Sequence, residues 1–145
     1  MIAVLQRVLE SKVVVDGEII GAIDQGLMVL LGVEKNDDQD TADKLLQRIL
    51  KYRVFSDEEG KMNLSLQDVS GGLLLVPQFT LAADTGSGLR PSFSSAAPPQ
   101  KGKELFEYIL EQARAHYDKV ECGQFGADMK VHLINDGPVT FQLKV

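Results

Sequence analysis

Early in the chain, apolar positions come in short runs broken by turn residues, which is the pattern of strands rather than helices. Ile2 to Leu9 is mostly apolar, and Gln6 and Arg7 interrupt it so that one polar side chain points to each face of a strand. Lys12 to Val15 and Glu18 to Ile23 flank Asp16-Gly17, a two-residue hairpin signal because both residues tolerate positive φ. After Gly26, the run from Leu27 to Val33 predicts a strand buried on both faces, and these segments together predict a β meander. The period then changes. Between Thr41 and Tyr52, Ala42, Leu45, Leu46 and Ile49 recur at helical spacing, preceded by Asp37, Asp38 and Asp40, which suit a helix N-terminus.

Asp57 to Gly60 reads as a turn and Lys61 to Leu66 as a short strand. Gly71-Gly72 then opens the run Leu73 to Val76, a buried strand that delivers Gln78 and Thr80 around Phe79 at its far end. A buried polar side chain left unpaired costs ~1–3 kcal/mol, so Gln78 and Thr80 need either a structural partner or a substrate. A loop from Gly86 to Ser95 follows, and Pro99 suits the first turn of a second helix, Lys101 to His116, with Leu105, Phe106, Ile109, Leu110 and Ala113 as its buried stripe. Asp128 to Ile134 and Val139 to Val145 predict two last strands around Asn135-Asp136-Gly137-Pro138. Proline cannot supply the second positive φ of a type I′ turn, which leaves a type II′ turn, a cis type VI turn or a wider loop. Such a pair either turns the chain or presents backbone carbonyls to a ligand. Arg7 also has two readings, a head in water at a sheet edge or an anchor for a nearby carbonyl or carboxylate.

The totals narrow the function classes. A chain of 145 residues fits one domain, 1–145, and 44% hydrophobic residues can fill its core. A net charge of -6 argues against coating nucleic acid along its length but allows gripping it by an end. Cys122 is the single cysteine, and no His, Asp, Glu or Cys cluster has ligand spacing, so neither a disulfide, a metal nor another cofactor is expected. The apolar run from Leu27 to Leu31 is too short to span a membrane, and a cytoplasmic protein is expected. A hydroxyl nucleophile needs a base, usually histidine; His116 and His132 lie in no triad motif, so Thr80 is the best nucleophile candidate yet lacks an evident base. The glycines at 86 and 88 lack the lysine and helix start of a nucleotide-binding loop.

Four segments in order, Gln6-Arg7-Val8, Gln78-Phe79-Thr80-Leu81, Arg90-Pro91-Ser92-Phe93 and Asn135-Asp136-Gly137-Pro138-Val139-Thr140, resemble the D-aminoacyl-tRNA deacylase family. The resemblance implies an α+β fold: a largely antiparallel, barrel-like sheet with two main amphipathic helices packed against it, in a homodimer. It implies hydrolysis of the ester between a D-amino acid and the terminal adenosine of tRNA, with L-aminoacyl-tRNA rejected and Gly-tRNA partly hydrolysed. Gln78, Phe79 and Thr80 of one subunit would form the catalytic end of the pocket and meet a Gly137-cisPro138 motif of the other, which Arg7 would brace. The substrate's own ribose hydroxyl, not a protein nucleophile, would assist the attacking water. The implied partners are thus a second copy of the chain and a tRNA 3′ end, with no membrane and no metal. Where the family motif opens with serine this chain has Pro77, so that serine's role does not carry over. Two alternatives stay open: a non-catalytic RNA-end-binding protein, and an editing relative with a trans Gly-Pro bond acting on achiral or L substrates.

Overall fold

A computed structural model describes residues 1–145. Its first strand, β1 (Ile2–Val15), is continuous, whereas the sequence pattern separates Ile2 to Leu9 from Lys12 to Val15. The continuity follows from pairing along the whole strand. β2 (Glu18–Ile23) pairs with the far half of β1, from Ser11↔Ile23 to Val15↔Glu18, across the expected Asp16-Gly17 turn, whose φ values are 49° and 78°. β3 (Gly26–Gly32) pairs with the near half, from Ile2↔Gly32 to Val8↔Gly26. β2 and β3 therefore lie end to end along one edge of β1, and the expected meander is corrected: a strand this long accommodates two partners in succession.

Helix α1 (Gln39–Lys51) begins where Asp38 caps it, its carboxylate accepting the Thr41 N–H at 2.9 Å. Asp37 is instead buried and accepts from the Met1 ammonium at 2.7 Å. β4 (Phe55–Ser56) and β5 (Met62–Leu64) form a small antiparallel pair. The strand expected to reach Leu66 stops at Leu64, because Ser65 and Asp68 form a reciprocal capping box and start the one-turn helix α2 (Leu66–Val69). β6 (Gly72–Pro77) lies parallel to β3, in register from Gly26↔Gly72 to Leu31↔Pro77. After α3 (Pro99–His116), β7 (Val120–Cys122) adds parallel to β6, and β8 (Lys130–Lys144) runs antiparallel along the free edge of β1.

The resulting six-stranded mixed sheet is antiparallel around β1, parallel from β3 to β7, and nearly closed into a barrel. β2 meets β7 so closely that a Cβ on Gly21 would lie 2.7 Å from the Cys122 carbonyl oxygen. Both faces of β3 and β6 are buried, and the period-2 alternation sorts their side chains. Leu27, Val29, Leu31, Leu73 and Leu75 join the apolar stripes of α1 (Leu45, Leu46, Ile49) and α3 (Leu105, Phe106, Ile109) in one large core on the helix side. Met28, Leu74 and Val76 pack with Val8, Val13 and Ile23 in a smaller core inside the barrel. β3 and β6 approach through glycine, since a Cβ on Gly26 would fall 1.9 Å from the Gly72 carbonyl oxygen. No helix is long and apolar enough to cross a membrane.

Candidate functional site

The end of β6 explains why proline is admitted at residue 77. In this parallel ladder the N–H groups alternate sides: Leu73 N–H donates toward β7, to Lys119 O at 2.8 Å, and Gln78 N–H toward β3, to Leu31 O at 2.7 Å. Pro77, in phase with Leu73, faces β7 just past that strand's last residue, Cys122, where the ladder stops and a missing donor is tolerated.

Beyond Pro77 the chain leaves the sheet in a short 3₁₀ turn, Phe79–Ala82. That turn carries Thr80 into solvent and leaves Gln78 half-buried, correcting the expectation of two buried polar groups. They partner each other: Gln78 Nε2 donates to Thr80 Oγ1 at 2.5 Å. The turn has no side-chain cap, and its first hydrogen bond runs from Leu81 N–H to Gln78 O at 3.2 Å. The leading amides of Phe79 and Thr80 are thus donors without an acceptor in the chain, as the first N–H groups of any uncapped helical turn are.

Phe79 is 61% exposed. The loop after it is tied by reciprocal bonds between Asp84 and Ser92, at 2.7 and 2.9 Å, which return Phe93 to Phe79 with ring centroids 5.3 Å apart. Beside this pair lies an apolar pocket of about 230 Å³ lined by Leu31, Val33, Pro77, Phe79, Phe106 and Phe125 among others. Four larger clefts, of about 670, 630, 550 and 340 Å³, the first two at the Ile23–Asp24 corner, are lined by none of Arg7, Gln78, Phe79, Thr80, Gly137 and Pro138, so volume does not choose the site.

On the other edge of β1, the two strands expected around Gly137-Pro138 are one strand with a wide bulge. Between paired positions, β1 advances two residues, Val8 to Gln6, while β8 advances five, Asn135 to Thr140. Pro138 has no N–H for the ladder, so the excess residues loop out while pairing resumes on both sides. Gly137 and Pro138 are exposed there, and their peptide bond is cis. Arg7 reaches this bulge from β1. Its Nε donates to Asp136 O at 3.0 Å and lies 3.4 Å from the Asp136 carboxylate, while Nη1 donates to Val54 O at 2.7 Å. Of the two readings of Arg7, the anchor is the one observed.

Gln78, Phe79, Thr80 and Phe93 are therefore brought together, as are Arg7, Asp136 and Gly137. Within one chain no hydrogen bond joins the first group to Gly137 or Pro138. Neither histidine approaches Thr80: the Nδ1 of His116 contacts Gln112 O at 2.8 Å at the end of α3, and His132 lies exposed on β8. No group of three or more His, Cys, Asp or Glu is placed to hold a metal ion. Sequence reasoning missed Val54 and Phe125, whose roles come from distant elements and carry no local signal.

The chain is similar to known proteins along its whole length. A D-aminoacyl-tRNA deacylase of Pseudomonas putida is 66% identical over 145 residues, covering 100% of both chains, and one of Stutzerimonas stutzeri is 65% identical over 144 residues. Among solved structures, the c-Myc DNA unwinding element binding protein superposes with TM-score 0.95 at 41% identity, covering 100% of this chain and 99% of its own. A "probable eukaryotic D-amino acid tRNA deacylase" shares the fold at TM-score 0.82 and 16% identity, covering 98% of each chain. The family model for D-Tyr-tRNA(Tyr) deacylase matches residues 4–144, and the chain belongs to that family.

Proposed function

We propose that this protein is an enzyme that hydrolyses the ester of D-aminoacyl-tRNA, releasing free D-amino acid and tRNA, and that it acts in the cytoplasm. The observation that carries the reading is the pair of uncapped amides, Phe79 and Thr80, at a strand end beside exposed aromatic rings and an apolar pocket. Two adjacent N–H donors with no acceptor in the chain suit the oxygen on which charge develops as an ester is attacked, and one such donor is typically worth ~10²–10³ in rate. The Phe79–Phe93 pair offers a face on which the terminal base can stack.

No histidine stands beside Thr80, which favours attack by water with help from the substrate's ribose hydroxyl. Thr80 and Gln78 then shape and stiffen the turn through their mutual hydrogen bond. Chiral selection is assigned to the exposed Gly137-Pro138 bulge of a second subunit, whose main chain excludes an L side chain and passes glycine in part. A ~10⁴-fold discrimination corresponds to ~5.5 kcal/mol, within reach of steric conflict plus lost hydrogen bonds. One motif follows β6, separated from β1 by β3, and the other lies in β8 on the opposite edge of β1, and a symmetric dimer that uses one patch twice would complete two equal sites.

Release of amino acid from D-Tyr-tRNA, L-Tyr-tRNA and Gly-tRNA by the purified protein tests the reading. Rapid release from the D ester, slower release from Gly-tRNA and none from the L ester are expected, and comparable D and L rates refute it. The lost serine at Pro77 favours a second reading, a non-catalytic RNA-end-binding protein, which predicts binding without release from any of the three.

A further inference from the structure

We propose that Lys35, Arg90 and Lys101 form a seat for the phosphates of the single-stranded 3′ end of tRNA. The signal begins in the distribution of charge. The chain carries 21 acidic and 15 basic residues, yet residues 85–103 contain Arg90, Lys101 and Lys103 and no Asp or Glu. The fold then adds Lys35 to this acid-free stretch: its N–H donates to Ser95 O at 3.1 Å, next to an antiparallel bridge between Glu34 and Ala96. The Lys101 ammonium donates to the Lys35 carbonyl at 2.5 Å, which brings the Lys101 charge to the backbone of Lys35.

Their neighbours are engaged elsewhere. Lys103 pairs with Glu107 at 3.8 Å and is set aside, whereas Lys35, Arg90 and Lys101 have no carboxylate within ion-pairing distance. Asp38, whose field reaches Lys101, spends its carboxylate on the N–H and hydroxyl of Thr41. Glu34 is held by the Met1 ammonium at 3.2 Å and Lys144 at 3.4 Å, and Asp84 accepts from Gly86 N–H at 2.8 Å.

The place of the cations identifies the ligand. Lys101 adjoins Gly102, a wall of the apolar pocket, and Ser95, bonded to Lys35, is two residues from Phe93. Arg90 lies on the same loop, within about 11 Å of Phe93 along three residues of chain. Unpaired cations around exposed aromatic rings are the arrangement that grips a single strand, with phosphates on the cations and bases on the rings. The inference rests on the tRNA 3′ end lying against Phe79.

The test is equilibrium binding of an uncharged hairpin RNA with a 3′ ACCA overhang, across a salt series. The variants are the triple Lys35→Gln, Arg90→Gln, Lys101→Gln, the single Arg90→Gln, and a charge-matched control, Lys12→Gln, Lys51→Gln, Lys119→Gln. At about 0.7 counterions per single-strand contact, the triple should flatten the slope of log K against log salt by about 2, and the single by about 0.7. The triple should also weaken binding about tenfold or more at low salt, while the control stays within about twofold of wild type. An unchanged slope overturns the inference. So does an equal loss in the control, or an equal loss on a blunt-ended hairpin, which would move the cations to the stem. Failure to hydrolyse D-aminoacyl-tRNA refutes the enzymatic reading separately, because this binding measurement needs no catalysis.

Discussion

Arg7 and Asp136 meet twice, through the Arg7 Nε donating to the Asp136 carbonyl at 3.0 Å and lying 3.4 Å from the Asp136 carboxylate. The same guanidinium holds Val54 O at 2.7 Å, so one side chain from β1 ties the bulge of β8 to the segment entering β4. A planar fork satisfies both carbonyls at once. A lysine ammonium on a flexible stem does not.

Arg7→Lys should therefore lose about 1.5–3 kcal/mol of stability, the usual worth of a hydrogen bond to a charged group, and loosen the bulge. Urea unfolding measures the first effect and the D-to-L ratio of release rates the second. A variant with wild-type midpoint and ratio would show that the bulge stands without this tie.

Gly137 has φ +127°, and a Cβ there would lie 2.8 Å from Val139 Cγ2 and 3.1 Å from Arg7 Nη2. Gly137→Ala should cost about 1–3 kcal/mol, visible as a lower melting temperature, and should slow release from D-Tyr-tRNA. An alanine variant as stable and active as wild type would mean the bulge has room and freedom to spare.

Thr80→Ala removes a hydroxyl whose partner is Gln78, not a base. Only a modest loss in kcat is expected, against ~10⁴–10⁶ for deleting a nucleophile. Substrate with a 2′-deoxy terminal adenosine, esterified on the 3′ oxygen, should react far more slowly. A dead Thr80→Ala enzyme that turns over the deoxy substrate normally would assign the attack to Thr80.

If each site draws on two subunits, Phe79→Pro and Gly137→Val should each be inactive alone. Unfolded and refolded together without bias, half the dimers are mixed, and each mixed dimer holds one intact site, so roughly a quarter of all sites recover. Persistent inactivity in dimers shown to be mixed would place both motifs in one subunit's pocket.

Glu34 sets an acid limit. Burial works against ionising it, but the hydrogen bond and charge of the Met1 ammonium, with the Lys144 ammonium, outweigh burial and hold its carboxyl below the ordinary value. A lowered folded value means its stabilisation is fully present above the unfolded value of ~4.3 and is lost as pH falls through the folded one. Melting temperature followed from pH 6 to pH 3 should fall less steeply for Glu34→Gln than for wild type. Parallel curves would contradict the assignment.

The sequence alone determined what local pattern can determine. Asp16-Gly17 turned where two positive φ values were expected, α1 and α3 carried their predicted apolar stripes, and Leu73 to Val76 was the buried strand it read as. These features depend on neighbours within a turn or two, so the residues encode them directly. β7 escaped because three residues, Val120–Cys122, are too few for alternation to register.

Only the tertiary structure decided what depends on pairing. Whether Gly137-Pro138 ends two strands or bulges within one was settled by β1, whose Val8 faces Asn135 and whose Gln6 faces Thr140. Arg7 and Asp136, 129 residues apart, owe their contact to that ladder. Thr80 looked buried because an apolar run leads up to it, and it is exposed because the chain leaves the sheet after Pro77, where β7 has already ended. Burial, partners and the pocket beside Phe79 are properties of surfaces that distant segments bring together, and no window of sequence contains both sides of such a contact.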